Sequence, residues 1–230
     1  MGPSFVDGGT TPADHDTVLR PIPVVLSTGW HSNSPWFRAF RRARAPIAAS
    51  AATYLTFLLL GIVLATSGWA FAVDQRDSVI RGAQTNPITM QDRHGNHLAA
   101  AMLDFGANLG LGAIPTSIIG LTIVGPFPIA AYRGWVGGIV AIDSSHHSRL
   151  ATPSGATYYI VTILLQLIGY VLTMGAGIHV GWSAWKIRNE ASVRSVAGIR
   201  IPVSALGDAG YIYAVAVPVF LIGSLWEFLA

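Results

Sequence analysis

The sequence predicts an all-α, polytopic transmembrane bundle of about five spans, one of them short enough to be re-entrant. Three observations predict it. Hydrophobic residues make up 52% of the 230 residues and charged ones only 11%, against roughly 25% charged in an ordinary soluble domain. The apolar residues fall in long blocks, which a soluble core does not need. The blocks are separated by short polar stretches in which the arginines gather, as at the ends of membrane helices.

The elements follow in order. Residues 1–34 hold Pro, Gly, Asp, Ser and Thr around one short apolar patch, PIPVVL, and read as an irregular tail. They lack the apolar h-region of a cleavable signal peptide, so none is expected. Residues 35–45, beginning PWFRAFRRAR, form an amphipathic interfacial segment. On a helix Trp36, Phe37 and Phe40 take one side, and the arginines another. Arg38, Arg41, Arg42 and Arg44 are expected to contact lipid headgroups.

The transmembrane domain occupies 46–230. Pro46 to Val73 carries no charge and exceeds the roughly 20 residues a crossing needs, so it is span one. Residues 74–97 read as a polar loop. Leu98 to Ile142 is apolar except for Asp104 and Arg133 and is too long for one crossing. Its break is expected at Gly125–Pro128, because proline cannot continue a helix interior. This gives span two at about 98–123 and span three at about 127–142. Span four covers about 156–185 and span five about 209–230, with Pro218 at a kink position. Arg20, Arg38, Arg41, Arg42 and Arg44 precede span one, and Lys186, Arg188, Arg194 and Arg200 follow span four. With five crossings these groups share one side. The expected topology is therefore N-terminus cytoplasmic and C-terminus outside, in a bacterial inner membrane.

Polar residues inside the spans are costly, on the order of 2.5–3.5 kcal/mol for a charge at the helix centre, and face partners. Asp104, Asn108, Arg133 and Glu227 are expected as buried structural contacts, with Arg133 the obvious partner of Asp104. Gly169, Thr173, Gly177 and Gly181, each four apart, mark a close-packing face of span four, and Gly106 and Gly110 a similar pair in span two.

The absence of cysteine excludes disulfides, thiolate metal sites and a cysteine nucleophile. The small basic excess is arginine beside apolar blocks, which fits headgroups and not nucleic acid. His146 and His147, with Asp143 nearby, are adjacent and so do not share a face on either regular element, and a loop of Ser, His and Arg is ordinarily solvated, so no metal site is expected. His179, flanked by Gly177 and Gly181, is a weak candidate axial ligand for haem or a pigment. No phosphate loop, nucleophile elbow or hydrolytic triad occurs, so neither a cofactor nor enzymatic chemistry is expected.

FGANLGLGAIPTSIIG, through Phe105, Asn108 and Leu109, resembles the F-x-x-N-L opening of the stage II sporulation protein M-like membrane family. RGWVGG follows that family's N-G-x-x-x-G element through Gly134 and Gly138. PSGATY follows its P-H-G-x-x-E element through Pro153 and Gly155, and Glu227 its terminal glutamate. The resemblance covers residues 46–230. It departs where the family has Asn, His and Glu, since this chain has Arg133, Ser154 and Tyr158. It implies a non-enzymatic subunit or scaffold that works with other membrane proteins in a larger assembly. Two other classes fit the residues. One is a small transporter or channel-like permease lined by Asp104 and Asn108. The other is an accessory subunit of an energy-converting complex, with His179 as ligand.

Overall fold

The computed structural model describes residues 34–186, 192–196 and 198–229. The tail expected at 1–34 therefore lies outside the described residues, apart from Ser34. Helix α1 runs from Pro35 to Thr66. The Ser34 hydroxyl accepts from the Phe37 amide at 3.2 Å, and Pro35 fills the first helical position, where no N–H is needed. The basic amphipathic segment is thus the start of α1, continuous with span one through Pro46. The span ends earlier than the charge-free run does. Gly68, at φ +73°, turns the chain, and Phe71–Val73 already belong to the next helix.

The expected polar loop is two helices, α2 (Ala70–Gln84) and α3 (Pro87–Arg93). Asn86 caps α3 through the Ile88 amide at 2.9 Å, with Pro87 following it. Span two is α4 (His97–Gly106), a π-helical stretch (Ala107–Ala113) and α5 (Ile114–Ile119), closed by a 3₁₀ turn at Gly120–Thr122. The π-helical widening lies just before Pro115, which has no N–H for the preceding turn and crowds its carbonyls. The break between spans two and three comes before the prolines. Ile123 takes φ +69°, and the Val124 amide reaches the Thr122 carbonyl at 2.8 Å in a γ-turn. Pro126 and Pro128 then open α6 (Pro126–Ile139).

Helix α7 (Pro153–Trp185) is the axis of the bundle. Residues 169–181 are buried throughout, with α1, α5, α6 and α8 (Val203–Leu229) packed around them. The polar segment before α8 holds a hairpin, β1 (Val193–Val196) and β2 (Ile199–Pro202), in antiparallel register with Arg194 opposite Ile201. Ile201 seats the hairpin against Val180 and Ala205.

Among the described residues, four helical segments are long and apolar enough to cross a membrane: Pro35–Thr66, His97–Thr122, Pro153–Trp185 and Val203–Leu229. Their outer faces expose Leu59, Val63, Leu111, Ile118 and Ile222, as a lipid-facing surface requires and a water-facing one would not tolerate. Helix α6, with 14 residues, is only about 21 Å long at 1.5 Å per residue. It lies parallel to α1. A Cβ on Gly134 would stand 2.2 Å from the Tyr54 carbonyl, and one on Gly138 2.2 Å from the Leu58 carbonyl. Only glycine lets the two backbones approach so closely.

Candidate functional site

The polar residues of the spans gather into two clusters. The first occupies the middle and upper part of the bundle, the end at which α1 finishes. Asp104 accepts from the Ser224 hydroxyl at 2.7 Å and from Asn108 Nδ2 at 2.8 Å. Asn108 Oδ1 in turn accepts a short hydrogen bond from the Tyr170 hydroxyl. The Tyr170 ring carries the Arg133 guanidinium on its face, with Cζ 3.7 Å from the ring centroid. The ring's other neighbour is Phe220, edge-on at 4.9 Å. Gly112 makes the space for this junction, since a Cβ there would stand 2.6 Å from Tyr170 Oη and 2.8 Å from Arg133 Nη2.

The expected pairing of Asp104 with Arg133 does not occur. They come from different levels, and Asn108 and Tyr170 stand between them. Among the described residues Arg133 forms no ion pair with a carboxylate. It lies near the midpoint of α6, beside the midpoints of the second span and of α7. Among the described residues its charge is met by the Tyr170 face and hydroxyl, with Tyr54 nearby, and by the space it adjoins.

That space is a cavity of about 440 Å³, within the roughly 300–1,000 Å³ usual for small-molecule sites. Its walls carry Arg133, Arg149, Glu227, Gln166, Thr162 and five tyrosines: 54, 132, 158, 159 and 170. Several polar groups are fixed by the fold. Tyr159 donates to the Gly137 carbonyl at 2.7 Å and Tyr158 to the Glu227 carbonyl at 2.6 Å. Gln166 Nε2 holds a Glu227 carboxylate oxygen at 3.2 Å. The Thr162 hydroxyl oxygen is buried with no hydrogen-bond partner among the described residues. Tyr132, 62% exposed, stands at the edge of the cavity on α6, so the opening faces partly sideways, toward lipid.

The second cluster lies at the opposite end, where α1 begins. Arg42 Nε donates to Asp208 Oδ2 at 2.7 Å, and its Nη2 makes a short contact to Oδ1. His179 Nε2 lies 3.1 Å from the same Oδ2. Asp208 is only 3% exposed, while the Arg42 side chain is about half exposed. Arg42, expected at headgroups, therefore also pins α1 to α8. His179, the candidate axial ligand, has its Nε2 turned to a carboxylate. Arg38, Arg41 and Arg44 are exposed, as headgroup contact requires. Sequence reasoning missed Asp208. The available signal was an acid at the mouth of the last apolar run, on the side already assigned to the arginines.

The glycine stripes divide. Gly169 lies under the Phe220 ring, and Gly177 and Gly181 touch the backbone of Ser117, Gly120 and Leu121. Thr173 is buried and returns its hydroxyl to the Gly169 carbonyl at 3.1 Å. Gly106 and Gly110 do not pack inside the chain. Nothing lies within 4 Å of a Cβ on either, and both face outward. In the loop between α6 and α7, Asp143 accepts from the Ser145 and His147 amides at 2.8 Å each. The His147 amide, more than any other cause, holds its carboxyl below the ordinary value. Among the described residues no cluster of His, Cys, Asp and Glu is placed to hold a metal.

No protein-family model, curated protein or solved structure matches the chain.

Proposed function

We propose that this chain is a five-crossing integral membrane protein that holds a ligand in the cavity inside its bundle, in the manner of a small permease. One observation carries the reading. Arg133 stands near mid-depth, without a carboxylate partner, on the wall of a 440 Å³ cavity. An arginine so placed is retained against a substantial insertion cost, and a ligand that meets it supplies the reason. Helix α6, although short, is the fifth crossing in this reading, because it climbs beside α1 in the same direction. The basic end, where Arg42, Lys186, Arg194 and Arg200 lie, is cytoplasmic by the distribution of charge. The cavity then opens toward the outer half of a bacterial inner membrane.

The test uses the cysteine-free background. Val136→Cys, at a half-buried position on α6 that lines the cavity, is expected to react with a small aqueous maleimide added outside, while Ile118→Cys on the lipid face is protected. A Val136→Cys protein that stays as unreactive as Ile118→Cys contradicts the cavity reading.

A second reading, a non-enzymatic subunit of a larger assembly like the stage II sporulation protein M-like proteins, has its own support. Three positions aligned with that family's motifs, Arg133, Tyr158 and Glu227, are far apart in sequence yet line this one cavity. Gly106 and Gly110 present an outward small-residue face. Recovery of stoichiometric membrane proteins with the tagged chain in gentle detergent would favour it. Loss of that recovery in Gly110→Leu would place the contact on that face.

A further inference from the structure

The cavity has a neighbour. On the other flank of Tyr132 runs an apolar groove of about 530 Å³, walled by Phe57, Leu60 and Leu64 of α1, Trp69 and Phe71 at the start of α2, and Trp135 of α6. Tyr132 lines both spaces. One side of this ring is tyrosine and arginine, and the other is hydrocarbon and indole. The two spaces differ sharply in chemistry, yet they meet at one exposed residue on the lipid side of the bundle.

The charges of the cavity are also unequal. Arg133 and Arg149 face it, with Glu227 as the one carboxylate among its lining residues. Glu227 is engaged by Gln166 at the outer end, and Arg133 lies deeper without an anion. The space is therefore complementary to a single negative group bearing several acceptor oxygens, which guanidinium groups and tyrosine hydroxyls bind well.

Resting on the cavity reading above, we propose that the ligand is an anionic membrane lipid. Its phosphate headgroup meets Arg133 and Arg149 inside the cavity, and one acyl chain leaves past Tyr132 into the groove between α1, α2 and α6. A lipid of this kind reaches the site sideways from the bilayer. Arg149, in the loop above, meets the headgroup at the boundary. Arg133 draws it inward.

The test places the full-length protein in nanodiscs with phosphatidylglycerol or phosphatidylcholine brominated on the acyl chains. Bromine quenches indoles in contact with it, and Trp135 lines the groove. The readout is the fluorescence component absent from a Trp135→Phe variant. Brominated phosphatidylglycerol is expected to quench that component saturably, at a mole fraction roughly tenfold below that for phosphatidylcholine, the scale of one charge-assisted contact. Arg133→Gln and Arg149→Gln should each erase most of the preference, and Arg133→Lys should retain much of it. Arg149 is exposed, so its variant stands even where Arg133→Gln fails to fold. Equal quenching by the two lipids, or a preference indifferent to both arginines, overturns the proposal. A reactive Val136→Cys with no lipid preference leaves the cavity reading intact and removes only the lipid. Protection of that cysteine by inorganic phosphate, again with no lipid preference, assigns the site to a soluble anion and also overturns the proposal. An unreactive Val136→Cys removes both.

Discussion

Adding one methyl group at Gly138 should loosen the whole upper half of the bundle. The Cβ would lie 2.2 Å from the Leu58 carbonyl oxygen and 2.9 Å from Gly61 Cα. All of these atoms are backbone, so no side chain can swing away. An ordinary carbon–oxygen contact needs about 1 Å more, so α6 must part from α1 along its length. The reciprocal approach is as close, since a Cβ on Gly61 would stand 2.8 Å from the Trp135 carbonyl, and it would part as well. Overpacking of this sort costs about 1–3 kcal/mol, occasionally more, and the absence of any flexible neighbour puts Gly138→Ala at the upper end. For a chain of this size that is a fall of roughly 4–12 °C in melting temperature, readable from tryptophan fluorescence in detergent. Gly110→Ala is the matched control. It makes the same chemical change with nothing within 4 Å, and alanine is the better helix former. Its melting temperature should be unchanged or higher. Equal behaviour of the two variants would refute the reasoning, because it would mean that α1 and α6 are not in glycine contact.

Three further outcomes are expected. Asn108→Leu strips the Tyr170 hydroxyl and Asp104 of a shared partner and should destabilise by about 1–2 kcal/mol, near the upper range for hydrogen bonds inside membranes. An unchanged melt in detergent would contradict the bridge. Asp208→Asn and Arg42→Gln should each lower the melt, and the double variant should fall short of their sum by more than about 0.5 kcal/mol, as for residues in one network. Strict additivity would mean that the pair does not meet. In the loop between α6 and α7 the Asp143 carboxyl is held below its ordinary value of 3.8, so the loop's stability is present above that value and is lost as pH falls through the lowered one. Hydrogen exchange at the Ser145 and His147 amides, corrected for intrinsic rate, should therefore rise only below pH 3.8. A rise near pH 6 would point to the histidines instead.

The bundle was legible because each crossing leaves its own record in composition. The charge-free run before Gly68, the flanking arginines and the length of the run around Gly169 each speak for one helix at a time. Element ends were less legible where two helices abut without polar residues between them. Trp69–Val73 reads as span one by hydropathy, and a single left-handed glycine assigns Phe71–Val73 to α2. The γ-turn at Ile123 is hidden for the same reason, since apolar residues form it. The stretch at 74–97 reads as a polar loop by its charge, although Asn86-Pro87 is a helix start in plain view.

The site was legible only in part. Asp104, Asn108, Arg133 and Glu227 stand out against apolar runs, so each was found. Their partners were not, because a sequence orders residues along the chain and not by depth. Tyr170 separates Asp104 from Arg133, and a tyrosine in an apolar helix carries no signal of that role. The cavity draws on α1, α2, α6, α7, α8 and the loop at Arg149, so no window of the sequence contains it. Asp208 was absorbed into a polar segment, when the pairing of its side of the bundle with Arg42 and His179 was already implied by the topology.

The most direct test of the account is an electron cryomicroscopy structure of the full-length protein carried from its native membrane into nanodiscs. The account predicts density that is not protein within hydrogen-bond distance of the Arg133 guanidinium, inside the cavity bounded by Tyr54, Tyr158 and Glu227. A closed cavity with Arg133 paired to Glu227 or Asp104 would contradict it.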